Sequence, residues 1–399
     1  MRTTVTRMVW TSGFGIALSV AALAQGSVWV VDDTPGPGVD FASIQAAVTA
    51  AADGDVILVR DGTYAGFSLG STSLALIADT AATVTVTGTV SIYPSLTASI
   101  ALRGFDVAPV VSNPGAPQAL NLSGWGGPVW IEDCTFTGHC AIQFTSRVTF
   151  VRCTFTGTSV GMPNLPFAVW ASNASIQIFD STLQGATGDD AMLMDGGTLF
   201  AAGSSFVGGA GANCSPLCLP FGCFCGPCGS GGSGLHLMGA NPLVVEWQCT
   251  FVGGTGGLPT APPCTPGAPG FPIFIETGSV TSLPGSARHL EVSSPVRELQ
   301  SVLLSYDGSP GDFVLLLFSM TYDPVPVPLC AGYLLPSFPI AVFQGAIPPS
   351  GNLAVSIPVP ELGPGFEGAI VYTQAVFGTP SDPCNLSSGS ALVLLDQAF

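Results

Sequence analysis

One short phrase returns along this chain and limits its fold more than any other feature. Ile131-Glu132-Asp133-Cys134-Thr135-Phe136-Thr137-Gly138 is followed by Phe150-Val151-Arg152-Cys153-Thr154-Phe155-Thr156-Gly157, then by Ile178-Phe179-Asp180-Ser181-Thr182-Leu183-Gln184-Gly185. Ser204-Ser205-Phe206-Val207-Gly208 and Cys249-Thr250-Phe251-Val252-Gly253 continue the series, so the aromatic or leucine position advances through 136, 155, 183, 206 and 251. A second short strand precedes each later copy, as in Ala141-Ile142-Gln143-Phe144 and Ala191-Met192-Leu193-Met194. A repeat this short cannot bury its own apolar side, whereas stacked copies share one continuous core. The pattern predicts an all-β solenoid of parallel strands, with Ala210 to Gly234 as an insertion that explains the longest step. At the last copy Glu246 stands where the others are apolar, which predicts a bulge upstream.

The ends read differently. Phe41, Ile44, Val48 and Ala51 fall at helical spacing, with Asp40 placed to cap the start and Gly54 to end it. Beyond about Gly285 the period stops. Alternating strands such as Ser301 to Tyr306 and Ala369 to Val376 then follow, spaced by Gly/Pro turns, as in an antiparallel sandwich whose Cys330 and Cys384 pair. Met1 to Arg7 is basic, and the uncharged run Met8 to Ala24 ends in Ala22-Leu23-Ala24, the pattern of a secretory signal peptide. The expected organisation is therefore a signal peptide over 1–24, the solenoid over 25–286 with its Cys-rich insertion at about 210–234, and the sandwich over 287–399.

Composition narrows the function classes. The chain is 47% hydrophobic, too apolar for disorder, and its eight basic residues are all arginine. Without Arg2 and Arg7, 6 arginines face 25 acids, a net charge of −19. Such a surface repels phosphate backbones and excludes nucleic acid as a partner; polyanionic partners would need calcium as a bridge. No apolar run after the leader is long enough to cross a bilayer. Twelve cysteines fit an oxidising compartment, so the expectation is a secreted, extracellular or cell-surface protein.

Asp40-Phe41-x-x-Ile44-Gln45-Ala46-Ala47, Ala52-Asp53-Gly54-Asp55-x-Ile57-x-Val59 and Asp61-Gly62-Thr63-Tyr64 together resemble the opening of pectin-lyase-like right-handed parallel β-helix proteins. The resemblance covers about residues 30 to 285 and implies that the opening helix caps the first coil. The remainder, from Ala287-Arg288-His289-Leu290, looks like a carboxy-terminal β-sandwich module of large secreted proteins of environmental bacteria. The β-helix fold hosts lyases, hydrolases, adhesins and inert scaffolds, so the site must decide.

Gly188-Asp189-Asp190 is the sharpest enzymatic thread, because the polygalacturonase-like branch uses a paired Asp to activate water and protonate the leaving oxygen. That branch also shows Asn-x-Asp, Gly-His-Gly and Arg-x-Lys. Here only Asp180 lies upstream, His236 sits in an ordinary strand and lysine is absent. Arg152 aligns with Asp133 and Asp180 in neighbouring coils, which suits a charge ladder better than a lyase base, since flanking anions keep it protonated. Asp189, Asp190 and Asp195 offer oxygen ligands that calcium could use. The cluster Cys214, Cys218, Cys223, Cys225 and Cys228 contains a thioredoxin-like Cys-Gly-Pro-Cys without its helix. It reads as a disulfide-stapled loop whose odd member pairs with Cys249 or Cys264; zinc is the lesser alternative. Trp130 and Trp247, on repeat strands, are candidates for stacking on sugar rings, and Trp125 and Trp170 are further aromatics of this kind. The expected role is non-catalytic, an extracellular scaffold or carbohydrate-binding protein without cofactor other than calcium. A polygalacturonase-like hydrolase or pectate-lyase-like lyase using Asp180, Asp189 and Asp190 is the alternative.

Overall fold

The computed structural model describes residues 26–110, 118–124, 126–145, 147–158, 167–219, 222–262, 264–328, 330–379 and 384–399. The expected signal peptide and Trp125 lie outside the described residues, as do the side chains of Cys218 and Cys223.

Each repeat turns a corner at one residue. Asp133, Arg152, Asp180 and Gln248 have φ of 52°, 51°, 51° and 54°, and Gly203 has 60°. This left-handed corner splits the phrase into two strands, Val129–Glu132 and Thr135–Thr137 in one coil, Val148–Val151 and Thr154–Thr156 in the next. Val129–Glu132 lies on the first side of the coil, His139–Gln143 on the second and Thr135–Thr137 on the third. The sequence shows only two strands per coil because glycine and asparagine usually mark a left-handed corner, whereas here Asp, Arg and Gln occupy it.

Stacking is in register on all three sides. On the first, Ile131 lies beside Phe150, Phe150 beside Ile178, Ile178 beside Ala201 and Ala201 beside Glu246, all in parallel pairs. On the third, Phe136, Phe155, Leu183, Phe206 and Phe251 form one parallel column, the aromatic position of the repeat. Phe136 and Phe155 stack at 5.3 Å, Phe206 and Phe251 at 4.9 Å. The first and second sides are joined through the long strands Phe167–Phe179 and Asp190–Ala202 into a 16-stranded sheet, and the third side is an 8-stranded sheet. The register from Leu243 to Trp247 is continuous, so there is no bulge at the last copy. Glu246 is tolerated near the end of the stack, where it is half-buried and its carboxylate accepts the amide of Cys249 at 3.1 Å.

The residue after each corner points inward and satisfies the corner's backbone. Ser181 Oγ donates to the Phe179 carbonyl at 2.7 Å and accepts the Cys153 amide at 2.9 Å. Ser204 repeats the pattern one coil on, donating to Ala202 at 2.9 Å and accepting from Ser181 at 3.1 Å. Cys134 and Cys153 hold the equivalent position as free buried thiols, each donating to the carbonyl two residues earlier.

The helix is Ile44–Ala50, shorter than its apolar spacing suggests, and buries Ile44 and Ala47 against the first coil. Its cap is Ser43, which accepts the Ala46 amide at 3.3 Å. Asp40, expected to cap it, instead accepts the Val30 amide at 2.8 Å and ties the approach to the first strand.

The carboxy-terminal strands are mainly antiparallel. His289–Val292, Ser301–Asp307 and Asn352–Pro358 form one sheet. Gly368–Gly378, Asn385–Leu395, Phe313–Ser319 and Ile340–Ala346 form the second with Val296–Arg297 at its edge, and Cys330 is bonded to Cys384. This unit covers the outer surface of the first side. Trp130 meets Tyr322 at 5.1 Å and Tyr372 at 5.5 Å, while Phe200 meets Tyr333 at 5.2 Å. Trp130 is 0% and Trp247 1% exposed, so neither offers a ring to a sugar. Both do point away from the core enclosed by the parallel sheets, but on the side that the antiparallel strands cover, and this corrects their assignment as binding residues.

Candidate functional site

The three acidic candidates do not share a groove. Asp190 opens the strand Asp190–Ala202 and pairs in register with Phe167, whereas Asp180 follows Phe179, which pairs with Ala202 at the other end. Asp180 is instead held by His289 of the antiparallel unit, whose Nδ1 lies 2.5 Å from its Oδ1. Arg152 does bridge to a neighbouring coil, with Nε 2.7 Å from Asp133 Oδ1, and also contacts Glu132. Glu132 is completely buried and also engages Arg103 at 3.2 Å, the Trp130 indole at 2.8 Å and the Ala391 amide at 2.7 Å. Those charges hold the two units together.

A different set surrounds Asp190. Its Oδ1 accepts the Ser233 amide at 2.5 Å, and its Oδ2 lies 2.9 Å from His236 Nδ1. His236 Nε2 lies 3.0 Å from Glu276 Oε1, so the imidazole is clamped between two carboxylates from two other coils. The hydrogen bond to Asp190 and, less strongly, that to Glu276 raise the His236 pKa above the usual histidine range, against the opposing effect of burial. Asp189 is also shifted upward, by burial first and by the Asp190 charge second. His236 was not legible as a partner of Asp190, because the insertion places the two 46 residues apart. Only the pairing of Met192 with Leu235 reveals their adjacency.

The outer surface of the second side supplies the rest. Register aligns Trp170, Leu193, His236 and Phe274 in one outward column. Trp170 is half-buried and Phe274 is 36% exposed. His236 and Phe274 lie 4.8 Å apart, and Phe271 stacks on Phe274 at 5.3 Å. At about 4.8 Å per rung the column spans roughly 14 Å. Two aromatic faces flanking carboxylate acceptors form a surface that can stack on a ring and accept hydroxyl hydrogens.

The insertion is stapled by Cys214–Cys228 and Cys225–Cys264. Cys249 keeps a free thiol that burial pushes up to about 11. Among the described residues, the group of three potential metal ligands whose atoms lie within 4.8 Å of one another is Cys214, Cys225 and Cys264. Asp189, Asp190 and Asp195, suggested as calcium ligands, do not converge in this way. No helix among the described residues is long and apolar enough to cross a membrane.

No family model matches the chain, and no curated protein matches it. Among solved structures, a superoxide reductase (neelaredoxin) from Ignicoccus hospitalis is similar at 8% identity over 27% of this chain and 80% of that chain. Its TM-score of 0.16 carries no argument about fold or function.

Proposed function

We propose that the chain is an exported right-handed parallel β-helix of the pectin-lyase-like kind, with Ile44–Ala50 as its cap and a β-sandwich at its end, and that it binds neutral carbohydrate without cleaving it. The column of Trp170, His236 and Phe274 beside Asp190 and Glu276 carries this reading, because it joins ring faces to fixed hydrogen-bond acceptors. A neutral glycan suits it better than a uronate, since the column's anionic groups and the net charge of −17 repel a polyanion. The described arginines are engaged elsewhere: Arg60 with Asp32, Arg103 and Arg152 with Glu132, Arg147 with Asp323, Arg288 with Asp312 and Arg297 with Asp79. A lyase needs a cation facing its acidic substrate, and none of these is committed to the second side. The three disulfides among the described residues favour an extracellular setting.

A polygalacturonase-like hydrolase is the second reading, favoured by the raised Asp189 beside Asp190. A reducing-end and unsaturated-product assay on neutral and acidic polysaccharides, with and without calcium, separates the two. The binding account predicts no product on any of them. Product formation that disappears in Asp189→Asn and Asp190→Asn would establish the hydrolase instead.

A further inference from the structure

The stack of coils is covered at one end and bare at the other. At the start, Ile44–Ala50 buries Ile44 and Ala47 against the first coil, and the amides of Asp40 and Phe41 donate to the Val30 carbonyl at 2.9 and 3.2 Å. Nothing equivalent covers the last coil among the described residues. Thr250–Val252, Ile273–Ile275 and Ser279–Ser282 each pair with the preceding coil alone, so one edge of each strand has no neighbour there. The inward side chains show the same opening. Phe206, Leu235 and Leu237 are fully buried and Val244 nearly so. Their register partners one coil on, Phe251, Ile273, Ile275 and Val280, are half-buried or exposed, Ile275 at 47%. An apolar cross-section bounded by free strand edges calls for a cover.

We infer that a second copy of this chain supplies the cover, the two last coils meeting about a two-fold axis with their strand edges antiparallel. Charge selects the copy as occupant. The chain has a net charge of −17, yet Glu276 is the single charged residue from Trp247 to Ala287, and His236 Nε2 lies 3.0 Å from it. Two molecules of this acidic chain can approach here without the repulsion that the net charge imposes elsewhere. Register supplies the fit: Phe251 stacks on Phe206 at 4.9 Å on one face, and a facing copy offers apolar side chains of the same column to the other. Because the helix covers the first coil, copies cannot add head to tail, and the two-fold contact closes at a dimer. Phe274 lies in the outward column with His236, so the proposed glycan face stays open.

The test is sedimentation velocity of the full chain over a nanomolar to micromolar concentration series. A reversible step from one copy to two is expected, with no larger species. Ile275→Glu sets like charges against each other across the contact and should weaken the dimer about a hundredfold or more. Phe343→Glu, on the exposed edge strand of the antiparallel unit, should leave it unchanged. Hydrogen exchange on the wild type reads the same contact without a variant: amides of Ile273–Ile275 and Ser279–Ser282 should exchange more slowly as concentration rises through the dimer midpoint. A wild type that stays monomeric, assembles into larger species, or dimerises without protecting these strands would overturn the inference. So would undiminished dimerisation of Ile275→Glu, or loss of the dimer in Phe343→Glu.

Discussion

His236 Nδ1 lies 2.9 Å from Asp190 Oδ2, although 46 residues separate them along the chain. The stacking of one coil on the next creates the pair, and the Cys-rich insertion between them closes over it through Ser233. The proposed binding face therefore depends on register, and each element that sets the register is open to test.

Asp190 is the main cause of the raised His236 pKa, ahead of Glu276. Asp190→Asn is expected to lower the His236 midpoint in an NMR titration, and Glu276→Gln to lower it by less. Equal effects, or no effect of Asp190→Asn, would mean that the carboxylate does not hold the imidazole.

The joint between the two units rests on Trp130 and Glu132. Trp130→Ala removes a fully buried ring from between Tyr322 and Tyr372 and should cost about 3–5 kcal/mol. Glu132→Ala leaves Arg103 and Arg152 without their shared buried partner and should cost about 3–5 kcal/mol as well. Their contact through the Trp130 indole predicts a non-additive double variant in denaturant titrations.

Asp180 and His289 give that joint a pH dependence. The hydrogen bond that His289 donates to Asp180 raises its folded-state pKa, with burial opposing it. Histidine has an unfolded pKa of about 6.5, so the contribution is complete below that pH and is lost as pH rises through the higher folded value. The stability difference between wild type and His289→Gln should shrink from pH 6 towards alkaline pH. A difference that grows with pH would reverse the assignment.

Leu183 occupies the aromatic column between Phe155 and Phe206 and is fully buried. Leu183→Ala should cost about 2–5 kcal/mol, because rigid stacked coils above and below cannot close the cavity. A loss below 1 kcal/mol would mean that the column is not continuously packed.

Much of the architecture was legible because the repeat advertises its own register: positions 136, 155, 183, 206 and 251 do stack in one column. The Cys330–Cys384 pair and the partnership of Cys264 with the insertion were legible from parity and placement. The site was not. Alternation along a strand tells whether Trp130 points away from the core of the parallel sheets, but cannot tell that a second unit covers that side. Nor does a local pattern show His236 beside Asp190, because the insertion hides the one-coil offset. Trp170 and Phe274 lie outside the repeated phrase, so only the pairing of their strands brings them into line.

The most direct test of the binding face is affinity electrophoresis of the wild-type chain in gels containing neutral polysaccharides, beside Trp170→Ala and Phe274→Ala. The account predicts that at least one polysaccharide retards the wild type and that each variant loses about tenfold or more in affinity, with an unchanged melting temperature. A tenfold loss corresponds to about 1.4 kcal/mol of ring stacking. Wild-type mobility unaffected by every neutral polysaccharide, or retardation that both variants retain in full, would contradict it.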